Sequence, residues 1–257
     1  MLGSKTKKIL SIDLSRRTFE VKERTDLGPY LGGVGVAVKL LDEELLYDRG
    51  PLDPDQPIIF SIGPLSTIFP VVTKTVCVFR SPLTGELGES YAGGRLAMAM
   101  LYAGYDALVI KGKAERPVYL SITSKKVQIK NADPLWGTTV EECGRYLREM
   151  ETGRGFRSIV RIGQAGEKKV LFANLNVDTY RHFGRLGAGA VSGVVGHARP
   201  GRPVRQRRRS PVARRLAADA PDARRGEAGR RPDPARPGRG SHGRGPPAGT
   251  RRGPRRH

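Results

Sequence analysis

Near residue 195 the vocabulary of this 257-residue chain changes abruptly, and only the part before the change can build a packed core. Residues 196–257 contain no Lys, Ile, Phe, Tyr, Trp, Met, Asn or Cys and consist mainly of Arg, Pro, Gly and Ala. The codons of those four residues need only G and C in their first two positions, so a GC-rich gene read out of frame produces this composition. Residues 196–257 are read as a disordered, frameshifted tail, because they cannot bury enough apolar surface to offset chain entropy. The tail's 19 arginines against four acids supply +15 of the formal charge of +21, leaving +6 for residues 1–195. A basic nucleic-acid-binding protein acting through the Arg-rich tail is an alternative reading, with the steep salt dependence of counterion release. Its signal lies almost wholly in the tail, so no specific nucleic-acid partner is expected.

Residues 1–195 suffice for one substantial domain. The opening MLGSKTKKILSIDLS lacks a signal-peptide core, and no run of 18 apolar residues occurs, so a cytoplasmic protein with no membrane partner is expected. Cys77 and Cys143 are the two cysteines; they fit neither a disulfide framework nor a four-thiolate cluster and read as small buried groups.

Ile9–Asp13 and Thr18–Lys22 alternate apolar and polar residues around Ser15-Arg16-Arg17, a hairpin pattern. Tyr30–Leu46 has helical spacing, with Leu31, Val34, Val38, Leu41 and Leu45 apolar. Ile58–Ile62, Val71–Phe79 and Ala107–Lys111 read as strands, and Gly94–Tyr102 as a short helix stopped by Gly104. A second hairpin, Val118–Ser121 with Val127–Lys130, precedes a helix over Thr139–Met150 whose apolar face is Val140, Cys143, Tyr146, Leu147 and Met150. Ser158–Ile162 and Lys169–Leu175 complete the strands.

This order contains a repeat. Residues 9–21 match 119–129, 58–65 match 158–165, 73–79 match 167–173, and 93–100 match 184–191. The fold class is therefore α+β: two similar β-rich lobes related by internal duplication about a pseudo-twofold axis, followed by the tail. Such a molecule offers two Gly-Arg turns, Gly93-Gly94-Arg95 and Gly184-Arg185, to one pseudo-symmetric ligand. Glycine lets backbone approach a ligand closely, helix N-termini present unpaired N–H groups, and Arg adds forked donors. Alone, either turn reads as structural; as a pair they are functional candidates. Gly32-Gly33-Val34-Gly35 lacks the third glycine and the leading strand of a dinucleotide fingerprint and reads as a helix-packing site. Asp106, Asp133 and Asp178 read as local turn or cap residues, and Trp136 as a core or interface anchor. No nucleophile–base–orienter set is identifiable, so no catalytic residue is assigned.

The runs SPLTGELGESYAGG (81–94), AGYDALVIKGKAERPVYL (103–120), ADPLWG (132–137), IGQAGE (162–167) and YRHFGRLGAGAV (180–191) resemble, in order and spacing, the N-terminal domain of the aldehyde:ferredoxin oxidoreductase family. The resemblance runs from about Lys8 to Val191. It implies residues 1–195 as a pterin-cofactor-binding domain, a base on which a tungsten or molybdenum bis-pyranopterin lies, with magnesium bridging the pterin phosphates. By matching motifs, Ala92, Gly93, Gly94 and Arg95 would line one pterin, and Arg181, Gly184 and Arg185 the other. Tyr91 and His182 would offer main-chain carbonyls near the magnesium. Lys74 stands where a subgroup has an Arg between pterin and cluster, keeping the charge and losing the fork. The resemblance implies oxidation of aldehydes to carboxylic acids with ferredoxin as acceptor, in a homo-oligomer; the alternative is a relative acting on an oxo-acid or an aromatic ring. The 4Fe-4S cluster belongs to later domains of the full-length family protein, so this chain is expected neither to bind a cluster nor to act alone.

Overall fold

The computed structural model describes residues 6–152 and 155–192, and the backbone of 195–198; residues 199–257, which hold nearly all of the tail, lie outside the described residues. The first half runs β1 (Lys7–Asp13), β2 (Thr18–Arg24), α1 (Val34–Glu44), β3 (Ile58–Ile62), β4 (Thr75–Arg80), β5 (Leu87–Ala92), α2 (Leu96–Ala103) and β6 (Ala107–Lys111). The second runs β7 (Val118–Ile122), β8 (Val127–Asn131), α3 (Val140–Met150), β9 (Ser158–Arg161), α4 (Gln164–Glu167), β10 (Leu175–Val177), β11 (Arg181–Phe183), α5 (Ala188–Val191) and β12 (Val195–Ala198). The strands form two six-stranded sheets, β2-β1-β6-β3-β4-β5 and β8-β7-β12-β9-β10-β11. The order is the same position for position, and in each sheet only the second and third strands are parallel.

The first sheet is covered on both faces, which is why its strands read as nearly continuous apolar runs. Alternate residues Ile9, Ile59, Val76, Val78 and Val109 pack on Val36, Ala37, Leu40 and Leu41 of α1. The intervening Leu10, Phe60, Cys77, Phe79 and Leu108 share one core with α2 and with Leu120, Leu147, Leu175 and Phe183 of the second lobe. Helix α2 is apolar on nearly every side because it lies between the sheets, touching β3 of the first and β9 and β12 of the second; α5 touches β4 in return. The Phe60 and Phe183 rings meet edge to face at 5.5 Å. Helix α3 opens on a capping box: Thr139 Oγ1 accepts the Glu142 N–H and the Glu142 carboxylate accepts the Thr139 N–H.

Several expectations are corrected. Helix α1 starts at Val34, not Tyr30, because Gly32 and Gly33 take φ of +153° and +57°, and its buried stripe is Val36, Ala37, Leu40 and Leu41 while Leu31 is exposed. The close packing read for the glycine run holds: Gly33 N–H bonds Ile62 O at 2.9 Å, and a side chain at Gly35 would meet Tyr30 O at 2.6 Å. Strand β4 begins at Thr75, since Val71 turns out to solvent at φ +61°. Strands β5 and β11 went unread. Lys169–Leu175 is not a strand: Lys169 has φ +52°, and β9's neighbour is β10, so the pairing of 73–79 with 167–173 fails. On α3, Cys143 and Leu147 are buried, but Tyr146 and Met150 are exposed. Strand β12 spans the vocabulary change and fills the parallel position that β6 holds in the first sheet.

Two predictions follow from this packing. A Cβ at Gly187, where φ is +82°, would lie 2.0 Å from the Leu171 carbonyl oxygen and 2.8 Å from the Pro82 ring. Gly187→Ala is expected to cost about 3 kcal/mol or more in urea unfolding; an unchanged midpoint contradicts this packing. Buried Glu151 accepts from Tyr119 Oη at 2.9 Å and Ser121 Oγ at 3.1 Å, pairs with Lys130, and binds Arg157 through its carbonyl. Desolvation pushes its carboxyl up, but Lys130, Tyr119 and Ser121 together hold it below its ordinary 4.5. A depressed folded pKa gives stability that is present above the unfolded value and lost as pH falls through the folded one. Stability of the second lobe should therefore drop as pH falls below about 4.5, and Glu151→Gln should flatten that slope in pH-dependent denaturation.

Candidate functional site at the paired Gly-Arg turns

Strands β5 and β11 are the inner edges of the two sheets, and they lie beside each other. Each ends in a Gly-Arg turn, so sheet topology alone brings the two turns to one place. Thr75 of β4 pairs with Ala92, which puts exposed Lys74 beside Gly93 at the end of β5. Tyr91 is 42% exposed, and Ala92 is only 1% exposed and offers the site backbone alone. Burial and the neighbouring Glu89 carboxylate push the Tyr91 phenol up, so it stays protonated at neutral pH. A Cβ at Gly93 or Gly184 would meet nothing within 4 Å: both backbones are open to a ligand. Gly94 needs its φ of +96°, and its position is bordered by Arg181 Cγ at 3.3 Å. Arg95 is the N-cap residue of α2, and its side chain makes no capping hydrogen bond to the first turn.

On the second lobe, buried Phe183 anchors β11 and leaves Arg181 and His182 exposed on the same short strand. Arg185 is also exposed; its N–H donates to Ser90 Oγ of β5 at 3.3 Å, and Ser81 Oγ donates to Leu186 O at 2.9 Å. In the other direction, Asp178 reaches Arg95 at 3.8 Å. Each lobe thus holds the other's turn. The structure brings all ten sequence-predicted residues, Lys74, Tyr91, Ala92, Gly93, Gly94, Arg95, Arg181, His182, Gly184 and Arg185, to the ends of β4, β5 and β11. Lys74, Arg181 and Arg185 have no ion-pair partner among the described residues.

Sequence reasoning missed Ser81, Ser90 and Asp178, because their partners lie 83 to 105 residues away in the chain. Asp178 is no local cap: it accepts from Ser158 Oγ and Ile159 N–H, both at 3.0 Å. Asp106 likewise accepts the distant Lys8 N–H at 2.9 Å, whereas Asp133 binds nearby Asn131 as read. Trp136 is 45% exposed and borders a cavity of about 450 Å³ with Leu14, Ile58 and Ile110. Ile58 and Ile62 end β3 on opposite sides, so that cavity lies roughly 14 Å along the strand from the turns and is not part of this site.

Among the described residues no three His, Cys, Asp or Glu side chains could share a metal ion, so a cation at the turns would need carbonyl and ligand oxygens. Cys77 and Cys143 are buried, and burial pushes both thiols up, Cys143 to about 11 despite Arg161. Neither is a thiolate at neutral pH, and two cannot hold a four-iron cluster. No helix among the described residues is long and apolar enough to cross a membrane.

The structure is an α+β molecule of two lobes that presents two cationic glycine turns from adjoining sheet edges. Residues 9–195 match the family described as aldehyde ferredoxin oxidoreductase, N-terminal domain, and the chain belongs to that family. The tungsten-containing aldehyde ferredoxin oxidoreductase of Pyrococcus horikoshii is 37% identical over 191 residues, 72% of this chain and 31% of that protein. The aliphatic sulfonate oxidoreductase, WOR-like subunit, of Pyrococcus furiosus is 31% identical over 202 residues, again 72% of this chain and 32% of that protein. The active-site complex of benzoyl coenzyme A reductase with 1,5-dienoyl-CoA superposes with a TM-score of 0.71 at 30% identity, covering 75% of this chain and 30% of that one. The chain therefore spans about a third of the length of the curated relatives it matches.

The open glycines give a prediction independent of ligand. Gly93→Ala and Gly184→Ala should each shift stability by no more than about 0.5 kcal/mol, read by thermal melting. A large loss at either position would show a packing role.

Proposed function

We propose that this chain is the cofactor-seating domain of a tungsten- or molybdenum-pterin oxidoreductase. The observation that carries the reading is the junction of the two Gly-Arg turns: two open glycines flanked by Lys74, Arg95, Arg181 and Arg185 from both lobes. The shared strand order supports duplicated lobes, and duplicated lobes suit a ligand with two similar halves. Arg95 and Arg185 would hold pterin phosphates or ring edges with forked donors, Arg181 and Lys74 would add charge, and Gly93 and Gly184 would let the ligand lie on backbone. The carbonyls of Tyr91 and His182, on adjoining strands, would help hold a magnesium ion that offsets phosphate charge. When bound, such a cofactor supplies the two-electron chemistry that no side chain here offers. The residues of this chain bind and orient; none is assigned a proton or a nucleophilic role.

The parent reaction we infer is oxidation of an aldehyde to a carboxylic acid, with electrons passed through a cluster in the remaining two-thirds of the protein to ferredoxin. The names of the relatives support it, and they also include an aliphatic sulfonate oxidoreductase subunit and a benzoyl coenzyme A reductase. Lys74 in place of a forked Arg leaves the alternative of a relative acting on another substrate open to direct assay.

The test is retention of cofactor. Purified chain is mixed anoxically with tungstopterin released from a donor enzyme, passed over a desalting column, and assayed for oxidised pterin fluorescence. Retained pterin is expected, falling about tenfold or more in the Arg95→Ala/Arg185→Ala double variant. No retention by the unaltered chain, or equal retention by the double variant, rejects the reading. Dye-linked aldehyde oxidation by the loaded chain is expected to be absent; activity would show that this domain suffices for turnover.

A further inference from the structure

We propose that Asp178 is the positioning residue of this site: from the second lobe it orients Arg95 on the first, making the two turns one receptor for an anionic ligand. The proposal rests on the cofactor-seating reading and deepens it. Asp178 has φ +53°, and its N–H donates to Ile159 O at 2.8 Å. Its carboxylate takes the Ile159 N–H on Oδ1 and the Ser158 hydroxyl on Oδ2, both at 3.0 Å, and its side chain is only 14% exposed. A carboxylate held through both oxygens, on a backbone itself tied to Ile159, is a rigid reference for whatever it touches.

It touches the other lobe. Oδ2 lies 3.8 Å from Arg95 Nε and 3.9 Å from where a side chain at Gly94 would begin. The approach is on the Nε side and is longer than a hydrogen bond, so it steers the guanidinium without occupying its two terminal amino groups. Those groups have no hydrogen-bond partner among the described residues, and the Arg95 side chain is 57% exposed. An unrestrained Arg would lose rotamer freedom on gripping a ligand; one already held loses less. The carboxylate also repels an incoming anion, since it sits among the arginines that would bind one. The two roles therefore predict opposite signs. If Asp178 only balances charge, removing its charge tightens anion binding. If it positions Arg95, removing its charge weakens binding.

The experiment uses the full chain and inorganic pyrophosphate, with residue-specific NMR so that the arginines of the tail do not obscure the site. The order of the Arg95 Nε–Hε group is measured without ligand, and pyrophosphate affinity is read at the Gly94 amide. Asp178→Asn keeps the shape and the acceptor for Ile159. It should loosen Arg95 and weaken pyrophosphate about fivefold, with no further loss when added to Arg95→Ala. Ser158→Ala keeps the charge but frees one carboxylate oxygen, and should weaken binding in the same direction by less. Equal or tighter binding by Asp178→Asn, or an equal loss in the Arg95→Ala background, overturns the proposal. Loosening of Arg95 with no pyrophosphate shift at either turn in the unaltered chain keeps the Asp178–Arg95 coupling and rejects the cofactor reading.

Discussion

The structure depends on two sheet edges that meet. Strands β5 and β11 are unpaired edges of their own sheets, and an exposed edge is normally a hazard. Here each edge covers the other, without a ladder between them. The alternation of β5 makes this possible: Gly88, Ser90 and Ala92 turn inward while Leu87, Glu89 and Tyr91 turn outward. Gly88 is needed because the Phe79 ring lies 3.0 Å from where its side chain would start, and Ser90 is placed to accept the Arg185 N–H from the other lobe. Phe183 fixes β11 by its contact with Phe60. Because the turns are continuations of these edges, their separation follows from packing and not from loop flexibility.

What was legible in the sequence divides along physical lines. Elements set by local pattern were read closely: the two hairpins, β3, β6, and the span of α3. The ends of α1 were misplaced because hydrophobic spacing does not show that Gly32 and Gly33 leave helical dihedrals to pack on Ile62 and Pro64. Strands β5 and β11 were missed because LGESYA and RHF carry one or two large apolar residues each; they are strands by virtue of their neighbours. Lys169–Leu175 looked like a strand by composition, but the backbone there wraps around α4 and the glycines of α5, with Gly187 and Gly189 close against the carbonyls of Leu171 and Asn174. The site residues were legible as two similar motifs, and the repeat turned both toward one ligand. The contacts between them from Ser81, Ser90 and Asp178 were not legible, because their partners stand in the other lobe.

The proposed seating role implies a division of labour. The matched relatives carry names for aldehyde, sulfonate and benzoyl-CoA chemistry, yet all share this base. The turns present open glycine backbone and exposed cations. In the reading proposed above, this third of the protein sets where the cofactor lies and the remainder sets what it meets.

The most direct test of the account is backbone hydrogen exchange on the full chain, with and without tungstopterin, read on peptides covering residues 93–96 and 184–187. One receptor built from two lobes predicts that both segments gain protection together, with the same midpoint in cofactor concentration. Protection at only one turn, or at two well-separated concentrations, would contradict it and make the turns independent features of two merely similar lobes.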